Sequence, residues 1–316
     1  MNVENRTKQY QKNELEERVL LEMNQTLYPK ELELISNFNN PEKPVIFIVG
    51  AQRSGTTLLM QLMIHFFELS YPNNFIARYW NVPYIGAVLY KSLSKNLNQN
   101  NKTDLTSDLG YTSGLNGPHE FGYFWKKWFP WESWEEKKYD KINYSILQKQ
   151  LAAWQSIDNQ PLVFKNLIQL DNNIEKLNEI FPNSIFIFLK RNLVYNVQSS
   201  YLSGIKLFGN ETELFGIKPS NYQEIKDLPV FEKIVTQITT INNDIEKQLK
   251  SISKNKILRF NYEDLISNPS LLQSKLKGKL KSKKIKTKIQ LVSENKITLN
   301  SEKFNQIKEL VKAIQS

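Results

Sequence analysis

Five consecutive apolar residues, Val45-Ile46-Phe47-Ile48-Val49, run directly into Gly50-Ala51-Gln52-Arg53-Ser54-Gly55-Thr56-Thr57. A continuous, largely β-branched run bounded by Pro44 and Gly50 predicts a strand covered on both faces, as in a parallel sheet. The residues from Thr56 to about Phe67 predict a helix. A buried strand that turns through glycines into a helix is the setting of a phosphate-binding loop. Glycines let backbone N–H groups converge on anionic oxygens, and the helix adds its positive N-terminus. Arg53 would bring a full charge there, and Thr56 and Thr57 hydroxyl donors.

The rest of the chain supplies the partners such a strand needs. Short apolar runs predict strands at 162–164, 184–189 and 257–260. Helical patterns predict helices at 10–36, 144–157, 171–181, 193–203, 229–253 and 301–314, with another beginning near Pro269. The polar stretch 91–108 and the segment 205–228 are expected to be surface loops. Alternating strands and helices imply an α/β fold: a P-loop-type central parallel sheet flanked by helices on both faces. No internal repeat or linker is visible. The expectation is therefore a single domain over 1–316, with 1–40 a helical N-terminal extension and 270–316 a basic C-terminal segment.

Composition removes several classes. Cysteine is absent, so disulfides and thiolate metal sites are excluded. His65 and His119 are the only histidines, too few for a histidine-rich zinc site. Residues 1–40 are polar and lack the apolar core of a secretory signal. No run approaches the roughly 20 apolar residues of a membrane span. These observations lead us to expect a soluble, cytoplasmic protein without a transmembrane segment. A formal charge of +10 suits a polyanionic ligand, although much of it lies in one run from Lys275 to Lys288.

The spacing of the loop matches G-x-x-x-x-G-K-[ST] except that Thr56 stands where the lysine belongs, the basic residue having moved to Arg53. A nucleoside triphosphatase also needs an Asp at the end of a neighbouring strand to hold Mg²⁺. Here the 184–189 strand runs into Lys190-Arg191. Both departures suit phosphates neutralised by side chains rather than by metal.

The stretch Ile48-Val49-Gly50-Ala51-Gln52-Arg53-Ser54-Gly55-Thr56-Thr57-Leu58 resembles the 5′-phosphosulfate loop of sulfotransferases that use 3′-phosphoadenosine 5′-phosphosulfate (PAPS). In many members that loop reads R-S-G-T-T after a buried strand. The resemblance implies transfer of a sulfuryl group from PAPS to a hydroxyl or amine, leaving PAP, with no metal. It also implies that Arg53, Ser54, Gly55, Thr56 and Thr57 bind the donor. In the same family a strand ending in Arg, with Ser eight residues later, holds the 3′-phosphate; Arg191 and Ser199 match it. Such an Arg is a forked phosphate donor, and Ser199 lies about two turns into the next helix, able to face the same site. Taken alone, a carboxylate-paired Arg191 and a packing Ser199 would be the simpler account.

Val163-Phe164-Lys165-Asn166 is similar to the family's strand-Lys segment and implies that Lys165 lies near the transferring sulfuryl. Tyr262-Glu263-Asp264-Leu265, followed by Asn268-Pro269, is similar to a Y-E-D-L stretch that reads as mainly structural. Some relatives close the nucleotide site with a basic, Gly-containing C-terminal segment; Gly278 and its lysines could do the same, but a solvated face is the simpler account of the run. The resemblance runs from about Pro44 to Pro269.

Sulfuryl transfer needs a base, which in this family is His or Glu. Glu68 and His65 share one face of the helix after the loop. Some branches place a Glu about twenty residues past the loop Arg, but this chain has Phe75-Ile76-Ala77-Arg78 there. Another branch places a His about sixty residues past it, and His119 lies 119 − 53 = 66 beyond Arg53. The base is expected to be Glu120 or His119, in Gly117-Pro118-His119-Glu120-Phe121-Gly122; the two are not distinguished, and a surface pair capping the next helix is the bland alternative. The aromatics of 121–134 could line an acceptor pocket, but core is the simpler account. Two other functions compete: a metal-dependent P-loop small-molecule kinase, and a nucleic-acid-binding protein using the Lys run and aromatics. The second leaves both phosphate motifs unexplained, so no nucleic-acid partner is expected. The acceptor is a small molecule or glycan, with a carbohydrate or glycolipid favoured by family habit alone; the oligomeric state cannot be read.

Overall fold

The computed structural model describes residues 6–96, 105–133, 135–285 and 289–315. Trp134, Lys286 and Lys288, part of the aromatic and basic runs above, lie outside the described residues, as do 97–104 of the expected loop. Four strands, β1 (Val45–Val49), β2 (Leu162–Lys165), β3 (Ser184–Lys190) and β4 (Ile257–Asn261), form one sheet in the order β2-β1-β3-β4. Every pairing is parallel, and Phe47 lies between Phe164 and Phe186.

Strand alternation divides the core in two. Val45, Phe47, Val49, Phe164, Phe186 and Phe188 face one side, and Ile46, Ile48, Val163, Ile185, Ile187 and Leu189 the other. The connecting helices are α1 (Glu14–Leu34), α2 (Thr56–Phe66), α3 (Pro83–Asn96), α4 (Gly122–Trp128), α5 (Tyr144–Asp158) and α6 (Ile174–Ile180). They continue as α7 (Leu193–Phe208), α8 (Tyr222–Ile225), α9 (Val230–Leu249), α10 (Tyr262–Ser267), α11 (Leu271–Leu276) and α12 (Ser301–Gln315). Helices α4, α5, α7, α9 and α12 cover the first face, and α2, α10 and α11 the second. Continuous apolar strands are what such double coverage requires. No helix among the described residues is long and apolar enough to cross a membrane.

The aromatics after Glu120 go into the core. Trp125 stands edge-on to Phe164, with ring centroids 5.0 Å apart, and to Phe47 at 5.9 Å. Phe121, Phe124 and Phe129 are buried. Two expected loops are partly helical instead. Helix α3 extends through Asn96 into the 91–108 stretch, its first N–H groups held by a buried carboxylate. Helix α7 continues five residues past position 203 and stops where Gly209 takes a left-handed conformation (φ 74°), and α8 forms within the 205–228 segment.

Helix α1 docks in an unexpected way. Val19 and Leu21, apolar in sequence, are exposed, whereas Asn24 and Glu31 are fully buried. Asn24 donates to the carbonyls of Leu20 and Arg78 and accepts from Asn81 N–H. The Glu31 carboxylate accepts from the N–H groups of Tyr84 and Ile85, both at 3.0 Å, and from the Gln150 amide. Burial pushes its carboxyl up from 4.5 to about 7, against the pull of those hydrogen bonds. The native state thus holds its proton to higher pH than the unfolded chain does. The Glu31 contribution to stability should therefore fall as pH rises from 4.5 to about 7. Glu31→Gln should abolish that slope. Denaturation across a pH series should show wild type losing, relative to the variant, on the order of 3 kcal/mol over this window.

Candidate active site

From β1 the chain moves outward to β2, and from β3 outward to β4, so the connections diverge between β1 and β3. Open α/β sheets bind ligands in the crevice at the carboxyl ends of strands at such a divergence. The loop Gly50–Gly55 occupies it. A Cβ on Gly50 would lie 2.5 Å from the Leu189 carbonyl oxygen, so only glycine lets β1 leave the sheet this close to β3. Gly55, at φ 97°, is the N-cap of α2, and its missing Cβ would strike the Tyr262 ring at 2.6 Å. Arg53 holds φ 61°, uncommon for a residue with a side chain. The first N–H groups of α2 have no intrahelical partner by geometry. The Ser54 hydroxyl is buried in the loop without a partner among the described residues. Together these donors fit a phosphate oxyanion.

The two predicted nucleotide motifs meet. Arg53 Nε donates to Ser199 Oγ at 3.0 Å, and Arg191 Nη1 donates to the Arg53 carbonyl at 3.0 Å. No ion pair joins either guanidinium to a carboxylate among the described residues. Burial, then the neighbouring Arg191, hold the Arg53 guanidinium below its usual range; burial does the same to Arg191. Two adjacent, uncompensated cations favour an anion between them. The guanidinium of Arg191 lies over the Tyr262 ring, 4.6 Å from its centroid. Beyond it opens a cavity of about 660 Å³ lined by Lys190, Asn192, Asn261 and Glu263.

A C-terminal segment lies across this site, at 294–298 rather than at the basic run around Gly278. Arg191 donates to the Asn295 side chain at 2.7 Å and to the Glu294 carbonyl at 3.0 Å. Gln198 grips the same strap through the Lys296 carbonyl and the Thr298 N–H. No described residue lies within 4 Å of a Cβ on Gly278, and the neighbouring lysines tie down backbone carbonyls: Lys275 that of Arg259, Lys279 that of Asn255, Lys283 that of Ile64. The Y-E-D-L stretch is structural as read, yet it also builds the site. Glu263 accepts from the Asn192 N–H and from the Asn295 amide, joining the end of β3 to the strap.

On the other flank Lys165 ends β2 with its side chain 4% exposed. Its ammonium donates to Thr57 Oγ1 at 3.1 Å and pairs with the Glu120 carboxylate. His119 points its chemistry elsewhere. Its Nδ1 accepts the Phe121 N–H at 2.8 Å, fixing the turn in which Phe121 is left-handed, and burial holds the imidazole below its usual range despite Glu120. His65 lies in the last turn of α2, roughly 13 Å along the axis from Thr56, and Glu68, past the end of that helix, pairs with Lys281.

Asp171 was not legible as a site residue. Fully buried, it accepts the Gly50 N–H at 3.3 and 3.4 Å and so holds the first residue of the loop. Burial pushes its carboxyl well up, against the pull of that bond and of Lys165. Asp171→Leu should leave a buried N–H unpaired and cost about 1–3 kcal/mol. Asp171→Asn, which keeps an acceptor, should be much closer to wild type in the same denaturant titration.

Comparison with known proteins agrees with this fold. Sulfotransferase STF1 from Mycobacterium tuberculosis H37Rv has a similar fold at 14% identity, over 82% of this chain and 72% of that one, with TM-score 0.51. Sulfotransferase STF9 from Mycobacterium avium is similar at 14% identity over 84% and 72%, with TM-score 0.50. No curated protein matches the chain. The model of the sulfotransferase family matches residues 44–276, which include the loop, Lys165, Arg191 and Ser199. The chain belongs to that family and is a PAPS-dependent sulfotransferase.

Proposed function

We propose that the chain moves the sulfuryl group of PAPS, in line and without metal, to a hydroxyl or amine of a small molecule or glycan, with Glu120 as base and Lys165 as the cation at the leaving oxygen. The observation that carries this is the convergence on one loop of Arg53, Ser199 and Arg191 from one side and of Lys165 with Glu120 from the other. When bound, PAPS supplies a sulfuryl group on a phosphate leaving group. The α2 N-terminus, Ser54, Thr56 and Thr57 hold the 5′-phosphate. Arg53, Arg191 and Ser199 hold the 3′-phosphate, for which Arg191 gives up its bonds to Glu294 and Asn295.

The acceptor oxygen attacks sulfur as the bond from sulfur to the 5′-phosphate breaks, and the acceptor proton passes to Glu120. Lys165 stabilises the charge that develops on the phosphate oxygen. Glu120 is preferred to His119 because the free Nδ1 lone pair of the imidazole is already used by Phe121. A carbohydrate or glycolipid acceptor, a cytoplasmic location and a single folded unit over 1–316 belong to the same reading; the polar docking of α1 on α3 supports the last.

Calorimetry should show PAPS binding more tightly than adenosine 5′-phosphosulfate, with Arg191→Ala and Ser199→Ala erasing the difference. Equal wild-type affinities would remove the 3′-phosphate assignment. On an acceptor found by a mass-spectrometric screen, Glu120→Gln should cut turnover by roughly 10²-fold or more and leave PAP affinity nearly intact. Near-native turnover in that variant would end its role as base. Turnover should also persist in excess EDTA; loss restored by Mg²⁺ would favour the kinase alternative.

A further inference from the structure

The strap across the nucleotide site is packed at its ends and exposed in its middle. Residues 291–298 have no regular secondary structure. Leu291 packs against one half of the core and Leu299 against the other, whereas Val292 and Ile297 between them are 72% and 61% exposed. Hydrogen bonds fasten the middle. The Glu294 N–H donates to the Tyr262 hydroxyl at 3.0 Å, and the Asn295 amide donates to Glu263 at 2.7 Å. Gln198 clasps the residues that follow, donating to the Lys296 carbonyl at 2.7 Å and accepting the Thr298 N–H at 3.0 Å.

At Arg191 the strap takes the donors that a nucleotide phosphate would use. Nε and Nη2, which share one edge of the guanidinium, bond the Asn295 side-chain oxygen at 2.7 Å and the Glu294 carbonyl at 3.0 Å. Nη1 turns to the Arg53 carbonyl instead. Two parallel N–H groups on one guanidinium edge form the fork that receives a phosphate in bidentate fashion. Here two neutral oxygens fill that fork, one positioned by Tyr262 and the other by Glu263. The strap also brings a charge to the pair of cations. Burial holds the Arg53 and Arg191 guanidinium groups below their usual range, and the Glu294 carboxylate works against that fall in both.

We propose that the strap around Asn295 is autoinhibitory: Glu294 and Asn295 stand in for the 3′-phosphate, and a nucleotide carrying that phosphate displaces them. The inference rests on the nucleotide assignment made above. Strap and phosphate present oxygens to the same edge of Arg191, so they exclude each other there. Bonds from the fork to a charged phosphate are roughly twice as strong as bonds to neutral oxygens, so the phosphate wins the exchange. A nucleotide ending in a 3′-hydroxyl lacks that advantage and leaves the strap in place. Release of Asn295 frees Lys296 beside it, while Leu291 and Leu299 stay packed as hinges. Because binding must first open the strap, wild-type affinity is reduced by the fraction of chains that are already open.

The test uses the full chain and compares PAP with adenosine 5′-monophosphate, which lacks the 3′-phosphate. Asn295→Ala removes the bonds to Arg191 and Glu263. In calorimetry it should bind PAP about fivefold more tightly than wild type, or better, with affinity for the monophosphate within about threefold. Trypsin cleavage after Lys296, read by mass spectrometry, reports on the unaltered chain. PAP should speed that cut by about threefold or more, and the monophosphate should not. The proposal falls if Asn295→Ala binds PAP no more tightly than wild type. It also falls if PAP slows the cut at Lys296 or leaves it unchanged, since the strap would then be part of the bound site and not its competitor. Equal wild-type affinity for the two nucleotides would instead remove the 3′-phosphate assignment on which the proposal rests.

Discussion

The close passage of β1 against β3 governs the site. Val49 pairs with Phe188, so Gly50 arrives beside Leu189, where only a residue without a side chain fits. Parallel strands end on the same edge of a sheet. The loop after β1, Lys165 at the end of β2 and Arg191 just past β3 are therefore delivered to one crevice without any loop having to reach for it. The register that aligns them is held by burial on both faces, since a one-residue slip would exchange the two apolar sets and misplace every side chain.

This explains which parts were legible. The strands were, because full burial leaves a continuous apolar run whatever the neighbours are, and the loop was, because its glycines and its helix are contiguous in sequence. Arg191 and Ser199 could be placed beside Arg53 only through a resemblance; on chemistry alone an ion pair was the simpler expectation. Asp171 and the strap around Asn295 left no comparable signal. Asp171 acts 121 residues away from Gly50, and Asn295 104 residues from Arg191. Such pairings are set by strand order, which local pattern does not encode.

The loops went wrong for a related reason. The part of α3 that enters the 91–108 stretch is polar, and the helix is started by Glu31, a residue more than fifty positions earlier. The basic run near Gly278 reads as a solvated face because its charge is visible in sequence, whereas the carbonyls its lysines bond are not. Sequence does not separate Glu120 from His119; the preference for Glu120 proposed above rests on the imidazole accepting a bond from its own turn while the carboxylate pairs with Lys165.

The unpaired neighbours Arg53 and Arg191 have one more consequence. Like charges held together in a partly dry site oppose folding, and an anion between them relieves that opposition as it binds. The donor nucleotide and its product would thus act as stabilising ligands for the native chain, beyond their role in chemistry. Where unfolded chains are continually removed by proteolysis, a ligand that binds the native chain alone would lengthen its lifetime.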